Sequence, residues 1–260
     1  MIKKNQKINK ILNFSLLFIV AFYFSLQKQN LATAQNNNIN SEVIELISRI
    51  DRASSNKDLE TLNQYISPQF SSEDGLDNQT FLSTLESLWN SYTNLTYTTN
   101  INSTEENQGQ LIINTTTIIE GSKQENGETV NLLSEITARQ TIENQQLVGQ
   151  EILTEKTRIT TGANPPDITF RLPESARAGQ VFDLDAIVED PIGNGLILGG
   201  IKEERVNASL FTNPQPIELD ALSAGGIFKR VTISEGDHWY SAIFIRDDGT
   251  TMITQRVRVE

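Results

Sequence analysis

The sequence predicts an α+β domain followed by an all-β domain. Three observations carry this. Apolar residues recur at helical spacing only between residues 41 and 92, and four β-type segments joined by turn-forming residues follow up to about residue 160. Beyond Thr160-Thr-Gly-Ala-Asn-Pro-Pro-Asp167, apolar and polar residues alternate with the period of half-buried strands. A chain of 260 residues accommodates two domains of roughly 100 residues each, both large enough to bury a core.

The elements read in order as follows. Residues 1–34 form a signal peptide: a basic stretch to Lys10, an apolar run from Ile11 to Leu26, and a polar segment ending in the small-x-small triplet Ala32-Thr33-Ala34. The run of 16 residues is short for a helix that must cross about 30 Å of hydrocarbon at 1.5 Å per residue. Cleavage is therefore expected near Ala34, the alternative being an uncleaved anchor. The product would be periplasmic or extracellular, with no membrane association after cleavage. Residues 35–40 are a polar spacer expected to be disordered.

From Ser41, a plausible N-cap, Val43, Leu46, Ile47, Ile50 and Ala53 mark a first helix. Asn56 is expected to cap a second, short helix that stops at Ser67-Pro68, because a residue before proline disfavours the helical region. Phe70 to Gly75 reads as loop. A third helix starts at Asp77 or Asn78, and Phe81, Leu85, Leu88, Trp89 and Tyr92 share its stripe. Strands are expected over 95–104, 111–119, 130–141 and 147–158. Four hairpin-linked strands make an antiparallel sheet, and the helices can bury their stripes only against one face of it, so the sheet must curl around them. Residues 41–160 are the first domain, 161–167 a linker and 168–260 a β-sandwich of immunoglobulin-like size, with a tight hairpin at Asp247-Asp-Gly-Thr250.

Charge and composition exclude several functions. The formal charge is −12; the five lysines of the first 34 residues meet no acidic residue there, and their removal leaves 16 of 21 basic groups against 33 acidic ones, a charge of −17. Such a surface repels nucleic acid and anionic membranes alike. Without cysteine there is no disulfide, thiolate metal site or lipid-modified thiol. No Gly-x-Ser-x-Gly elbow, phosphate-binding lysine loop, dinucleotide motif or His-Glu-x-x-His is present, so no cofactor is expected. Gly193-Asn-Gly195 and Gly199-Gly200 read as turn and strand-bend glycines. Asp183, Asp185, Glu189, Asp190 and Asn194 are oxygen donors, but their spacing fits no calcium loop and outward acidic residues are ordinary here, so no metal is expected.

The run Ile50-Asp-Arg-Ala-Ser-Ser-Asn-Lys-Asp-Leu-Glu-Thr-Leu-Asn-Gln-Tyr-Ile-Ser-Pro-Gln-Phe70, followed by Asp74-Gly75, together with the three-helix-then-meander order, resembles the nuclear transport factor 2-like superfamily. That superfamily shares a cone-shaped fold with SnoaL-like polyketide cyclases and ketosteroid isomerases. The mature chain, including Gly162-Ala-Asn-Pro-Pro166 and Leu222-Ser-Ala-Gly-Gly-Ile-Phe-Lys229, is similar to exported cyanobacterial members with an appended β domain. The resemblance implies a cone-shaped pocket and a homodimer through the sheet of the first domain. Its enzymatic branches use positioned carboxylates, often with histidine, in an apolar pocket.

The only histidine, His238, lies in the second domain and reads as a surface or turn residue, which excludes an aspartate–histidine pair in the first. Carboxylate-only chemistry leaves Asp74, Glu135 and Glu151. Strict alternation puts Gly149, Glu151 and Leu153 on one sheet face and Val148, Gln150 and Ile152 on the other, without deciding which is inward. Arg139 is a counter-charge for Glu151, in a pocket or in an exposed cross-strand pair. Trp89, Tyr92, Tyr97, Phe81 and Phe70 line the pocket or fill the core. The leading expectation is an exported, non-catalytic protein that binds an apolar small molecule or a protein partner. The alternatives are a SnoaL- or isomerase-like enzyme with a carboxylate base acting on a small apolar carbonyl compound, and a structural envelope protein.

Overall fold

The first helix, α1 (Ser41–Ser55), buries Val43, Leu46, Ile47 and Ala53 along one side, the stripe its spacing predicts. It is capped by Asn40, whose side chain accepts the Glu42 N–H at 2.9 Å, and not by Ser41, which is already helical. The computed structural model describes residues 40–107, 109–190, 196–211, 213, 215–222 and 225–260. The signal peptide, nearly all of the spacer, and Gly193, Asn194 and Gly195 lie outside the described residues. Among those described, no helix is long and apolar enough to cross a membrane.

Asn56 ends α1 instead of starting the next helix. The cap of α2 (Leu59–Tyr65) is Asp58, which accepts the Thr61 N–H at 2.9 Å, since the left-handed Lys57 (φ 57°) has turned the chain first. The Lys57 ammonium then reaches the carbonyls of Trp89 and Tyr92 at 2.7 and 2.5 Å, placing a cation at the negative end of α3 (Asn78–Ser91). At its other end Asp77 and Thr80 form a reciprocal capping box. Leu62 and Leu88 are fully buried where these helices meet, each worth about 1.5–3 kcal/mol in area removed from water.

The stretch expected as loop from Phe70 belongs in part to a strand, β1 (Ile66–Ser72), which buries Ile66 and Phe70. Pro68 is tolerated because β1 is a short edge strand. A turn through Gly75 (φ 84°) follows, closed by the Ser72 N–H to the Leu76 carbonyl at 2.8 Å. The long antiparallel strands are β2 (Asn94–Asn107), β3 (Gln110–Glu125), β4 (Glu128–Glu143) and β5 (Gln146–Gly162).

The remaining strands are β6 (Ile168–Arg171), β7 (Ser175–Ala176), β8 (Val181–Val188), β9 (Ile197–Arg205), β10 (Asp220–Leu222), β11 (Gly226–Thr232), β12 (His238–Ile245) and β13 (Gly249–Val259). The sheet does not stop at β5. It continues β5-β13-β12-β9-β10, so a single ten-stranded sheet, counted over the described residues, runs through both halves of the chain. Of residues 161–167, expected as a linker, the first two end β5 and the rest lie against the β12–β13 hairpin: the Asn164 N–H donates to the Asp248 carbonyl at 3.0 Å, and the Thr251 hydroxyl to the Pro166 carbonyl at 2.6 Å.

The two faces of this sheet are covered differently along its width. On β2 to β5 one face carries the helices. On β9, β12 and β13 the same face is covered by Val206, Leu210, Phe211 and Ile217, the middle two from a one-turn 3-10 helix (Ala208–Phe211). Gly200, expected as a strand bend, makes room for that cover: a Cβ there would stand 2.1 Å from the Glu218 carbonyl oxygen. The opposite face of β9, β12 and β13 packs on a second sheet, β11-β8-β6, through Ala186, Val188 and Leu184 against Ala242, Phe244 and Tyr240. His238 belongs to this inner packing. It is buried, not at the surface, with Nε2 2.9 Å from the Ser234 hydroxyl and Nδ1 2.9 Å from Glu203. The Tyr240 ring stacks beside it, with centroids 6.2 Å apart.

Candidate functional site

The helix side of the sheet encloses a cavity of about 170 Å³ between α1, α3 and strands β2 to β5. Its walls are mostly aliphatic, with Ile47, Phe81, Leu85 and Ile152 among them. The polar groups that reach it include Asp51, Asp74, Glu155 and the facing amides Gln140 and Gln150; among the described residues no Lys, Arg or His lines it.

Asp51 has a structural task. β2 is the last strand of the sheet, so its outward N–H groups lack a ladder partner. Asp51 accepts the Thr99 N–H and hydroxyl, each at 2.7 Å, and Ser55 accepts the Tyr97 N–H at 2.9 Å. Helix α1 thereby satisfies the free edge. Burial pushes the Asp51 carboxyl above its usual range, against the opposing effect of the Thr99 bonds.

Glu155 comes to the cavity through backbone irregularity. The β4–β5 register slips twice, between Ile142/Thr141 and between Ala138/Thr137, leaving one extra β5 residue each time. Each bulge reverses which side chains face inward, so the helix-side set on β5 runs Leu147, then Gln150 and Ile152, then Glu155, Thr157 and Ile159. A strict period of two from Leu147 reaches Glu155, but it wrongly turns Gly149, Glu151 and Leu153 inward and Gln150 and Ile152 outward.

The edge of β5 opposite β4 is shared by two strands that approach end to end. β1 runs parallel to β5 and pairs at residues 147–150, while β13 runs antiparallel and pairs at 156–162. Both C-terminal ends point at the unpaired stretch between them. Into this seam the turn after β1 delivers Asp74, and β13 delivers Arg256 and Arg258.

The Arg256 side chain is 2% exposed and meets three carboxylates: Asp74 at 2.6 Å, Glu155 at 3.2 Å and Asp237 at 3.2 Å. Trp239, beside it on β12, donates its indole N–H to Glu155 Oε2 at 2.8 Å and stacks edge-on against Phe211, with centroids 5.1 Å apart. Burial raises the proton affinity of Glu155, while Arg256 and the Trp239 N–H act against that rise. The guanidinium is held charged by its carboxylates despite burial.

Of the residues expected to form a pocket, Phe81, Tyr97 and Asp74 line the cavity. Trp89 and Tyr92 lie in the core behind it, where Trp89 donates its indole N–H to the Tyr97 hydroxyl at 3.1 Å. Glu135 and Arg139 project from the other sheet face. Glu135 stands opposite Lys156 in the β4–β5 register, and Arg139, 51% exposed, pairs across strands with Glu151 at 2.8 Å. Glu151 also takes Arg258 at 2.6 Å, on the outer side of the seam. Neither carboxylate lines this cavity; of the two arrangements expected for Arg139 and Glu151 the cross-strand pair is the one formed, and both line a separate polar hollow on the outer face with Glu73 and Gln150. Glu155, Arg256, Trp239 and Phe211 were not anticipated; the last three lie outside residues 41–160, where the pocket was expected. Among the described residues, no group of three His, Cys, Asp or Glu is placed to hold a metal ion.

Comparison with known proteins gives one family model, a domain of unknown function (DUF8623), matching residues 163–260. No curated protein matches the sequence. Solved structures match over less than half of the chain at low identity. Bd1075 of Bdellovibrio bacteriovorus is 15% identical, with 43% of this chain and 38% of that chain covered, at a TM-score of 0.33. A Mycobacterium tuberculosis LEH-like epoxide hydrolase is 8% identical, covering 43% and 81%, at 0.29. The Δ5-3-ketosteroid isomerase of a Mycobacterium species is 12% identical, covering 44% and 92%, at 0.29.

Proposed function

We propose that this is an exported binding protein that holds a small, largely apolar molecule in the cavity beneath α1 and α3. In this reading the first half is a nuclear transport factor 2-like cone and the second a β-sandwich that closes it. The observation that carries the proposal is the cavity itself: about 170 Å³ with aliphatic walls, near the size of the roughly 150 Å³ apolar cavity that takes a benzene ring. A cavity filled by its own side chains would have supported a structural role instead.

Calorimetric titration with toluene or indole tests this. Saturable one-to-one binding is expected, and Ala138→Phe, which fills the cavity from a buried position on β4, should abolish it without loss of fold. Absence of binding to the wild-type protein contradicts the reading.

One observation favours a second reading, proton abstraction from a small carbonyl compound. Glu155 is a buried carboxylate with raised proton affinity at an apolar cavity, the setting a general base needs. Hydrogen–deuterium exchange beside the carbonyl of a bound ketone, lost in Glu155→Gln, would support it; exchange no faster than in buffer would not.

A further inference from the structure

The seam beside the cavity holds more negative charge than it can pair. One guanidinium, Arg256, serves three carboxylates, and the Asp74 and Glu155 side chains are 9% and 5% exposed. The other arginine at the seam, Arg258, is bonded to Glu151 on the outer side. With all three ionised, the cluster carries an excess of two negative charges among the described residues, mostly removed from water, where unpaired charge is costly.

The hydrogen bonds at this cluster leave one oxygen of Glu155 and one of Asp74 without a donor among the described residues. Both bonds to Glu155, from Trp239 and from Arg256, fall on Oε2, and the Arg256 bond to Asp74 falls on Oδ2. Glu155 and Asp74 are lining residues of the cavity, whereas Arg256 stands behind them and is not. A molecule in the cavity thus meets two carboxylates before it meets the guanidinium, and among the described residues no lining cation competes for them.

Resting on the apolar-ligand reading above, we propose that the natural occupant is a ring-sized apolar molecule bearing a protonated amine. Its ring occupies the aliphatic part beneath α1 and α3, and its ammonium donates to Glu155 Oε1 and Asp74 Oδ1. The amine supplies the missing positive charge, and the burial that makes the cluster costly when empty strengthens the ion pair when filled. Anionic ligands of the same size are rejected by the same two groups.

The test is titration of the whole protein with three compounds of nearly equal shape: benzylamine, benzyl alcohol and benzoate. Benzylamine is expected to bind at least about tenfold more tightly than benzyl alcohol, the range of a charged buried hydrogen bond, and benzoate not detectably. In Glu155→Gln the preference for the amine should fall to within about threefold while benzyl alcohol affinity is kept. Asp74→Asn, checked by circular dichroism alongside it, gives the same reading should the first variant fold poorly. Benzyl alcohol binding as well as benzylamine overturns the amine proposal and leaves the apolar reading standing. Failure of all three to bind overturns both.

Discussion

Replacing Arg256 with Ala is expected to lower the stability of the protein by about 3–5 kcal/mol, measured as the denaturant midpoint at an unchanged slope. The size follows from the asymmetry of buried ion pairs. An intact network roughly balances desolvation against attraction, but removal of one partner leaves the others buried and unpaired. Here the partner removed serves three carboxylates, two of them less than a tenth exposed. Arg256→Lys should recover only part of the loss, since an ammonium cannot present the planar fork that reaches Asp74, Glu155 and Asp237 through three different nitrogens. Combining Arg256→Ala with Glu155→Gln should cost less than the sum of the two, because neutral Gln no longer needs the lost cation. A loss under about 1 kcal/mol for Arg256→Ala would place the network among solvent-screened surface pairs and refute its burial.

Trp239→Ala is the second large effect, about 3–5 kcal/mol for a large aromatic removed from a packed core. The indole is fully buried on β12, edge-on to Phe211, and lies 5.8 Å from the Arg256 guanidinium. Its N–H is one of the two donors to Glu155. Trp239→Phe separates packing from hydrogen bonding: it keeps most of the ring volume and should cost about 1–3 kcal/mol for the acceptor left unpaired. A Phe variant as stable as the wild type would show that Glu155 does not depend on the indole. Both residues belong to the half of the chain that the domain of unknown function model covers, yet both act on a carboxylate from the other half.

This is also where the sequence was least legible. The helices could be read because their apolar stripes are local, and only their caps were misplaced. Asn40, Ser41, Asn56 and Asp58 are all competent cap residues, and the choice of Asp58 over Asn56 rests on one left-handed residue, Lys57, that no spacing marks. β1 was hidden by Ser67-Pro68-Gln69, a polar, proline-bearing stretch that suits a short edge strand but imitates a loop. The four long strands were found but cut short, because Thr-rich outer positions dilute the alternation.

The site was legible in part. Asp74, Phe81 and Tyr97 could be picked out because they follow local signals, an acidic turn and an aromatic stripe. Glu155 could not, since the two bulges between residues 146 and 155 send Gln150 and Ile152 inward before the parity is restored, so no single alternation describes the inward set of a strand whose two faces are both rich in threonine and glutamate. Arg256 was further out of reach. It meets Asp74 across 182 residues, and only the end-to-end approach of β1 and β13 on one edge of β5 brings them together. Strand pairing between residues 156–162 and 249–255 is likewise a long-range choice, so alternation that read well as two separate sheets also fits the single one that forms.

The central claim is that both halves of the chain share this sheet and build one cavity, so that neither half unfolds without the other. Differential scanning calorimetry of the intact protein tests it most directly. The account predicts a single transition whose calorimetric and van't Hoff enthalpies agree. Two resolved transitions, each with the enthalpy of about half the chain, would contradict it.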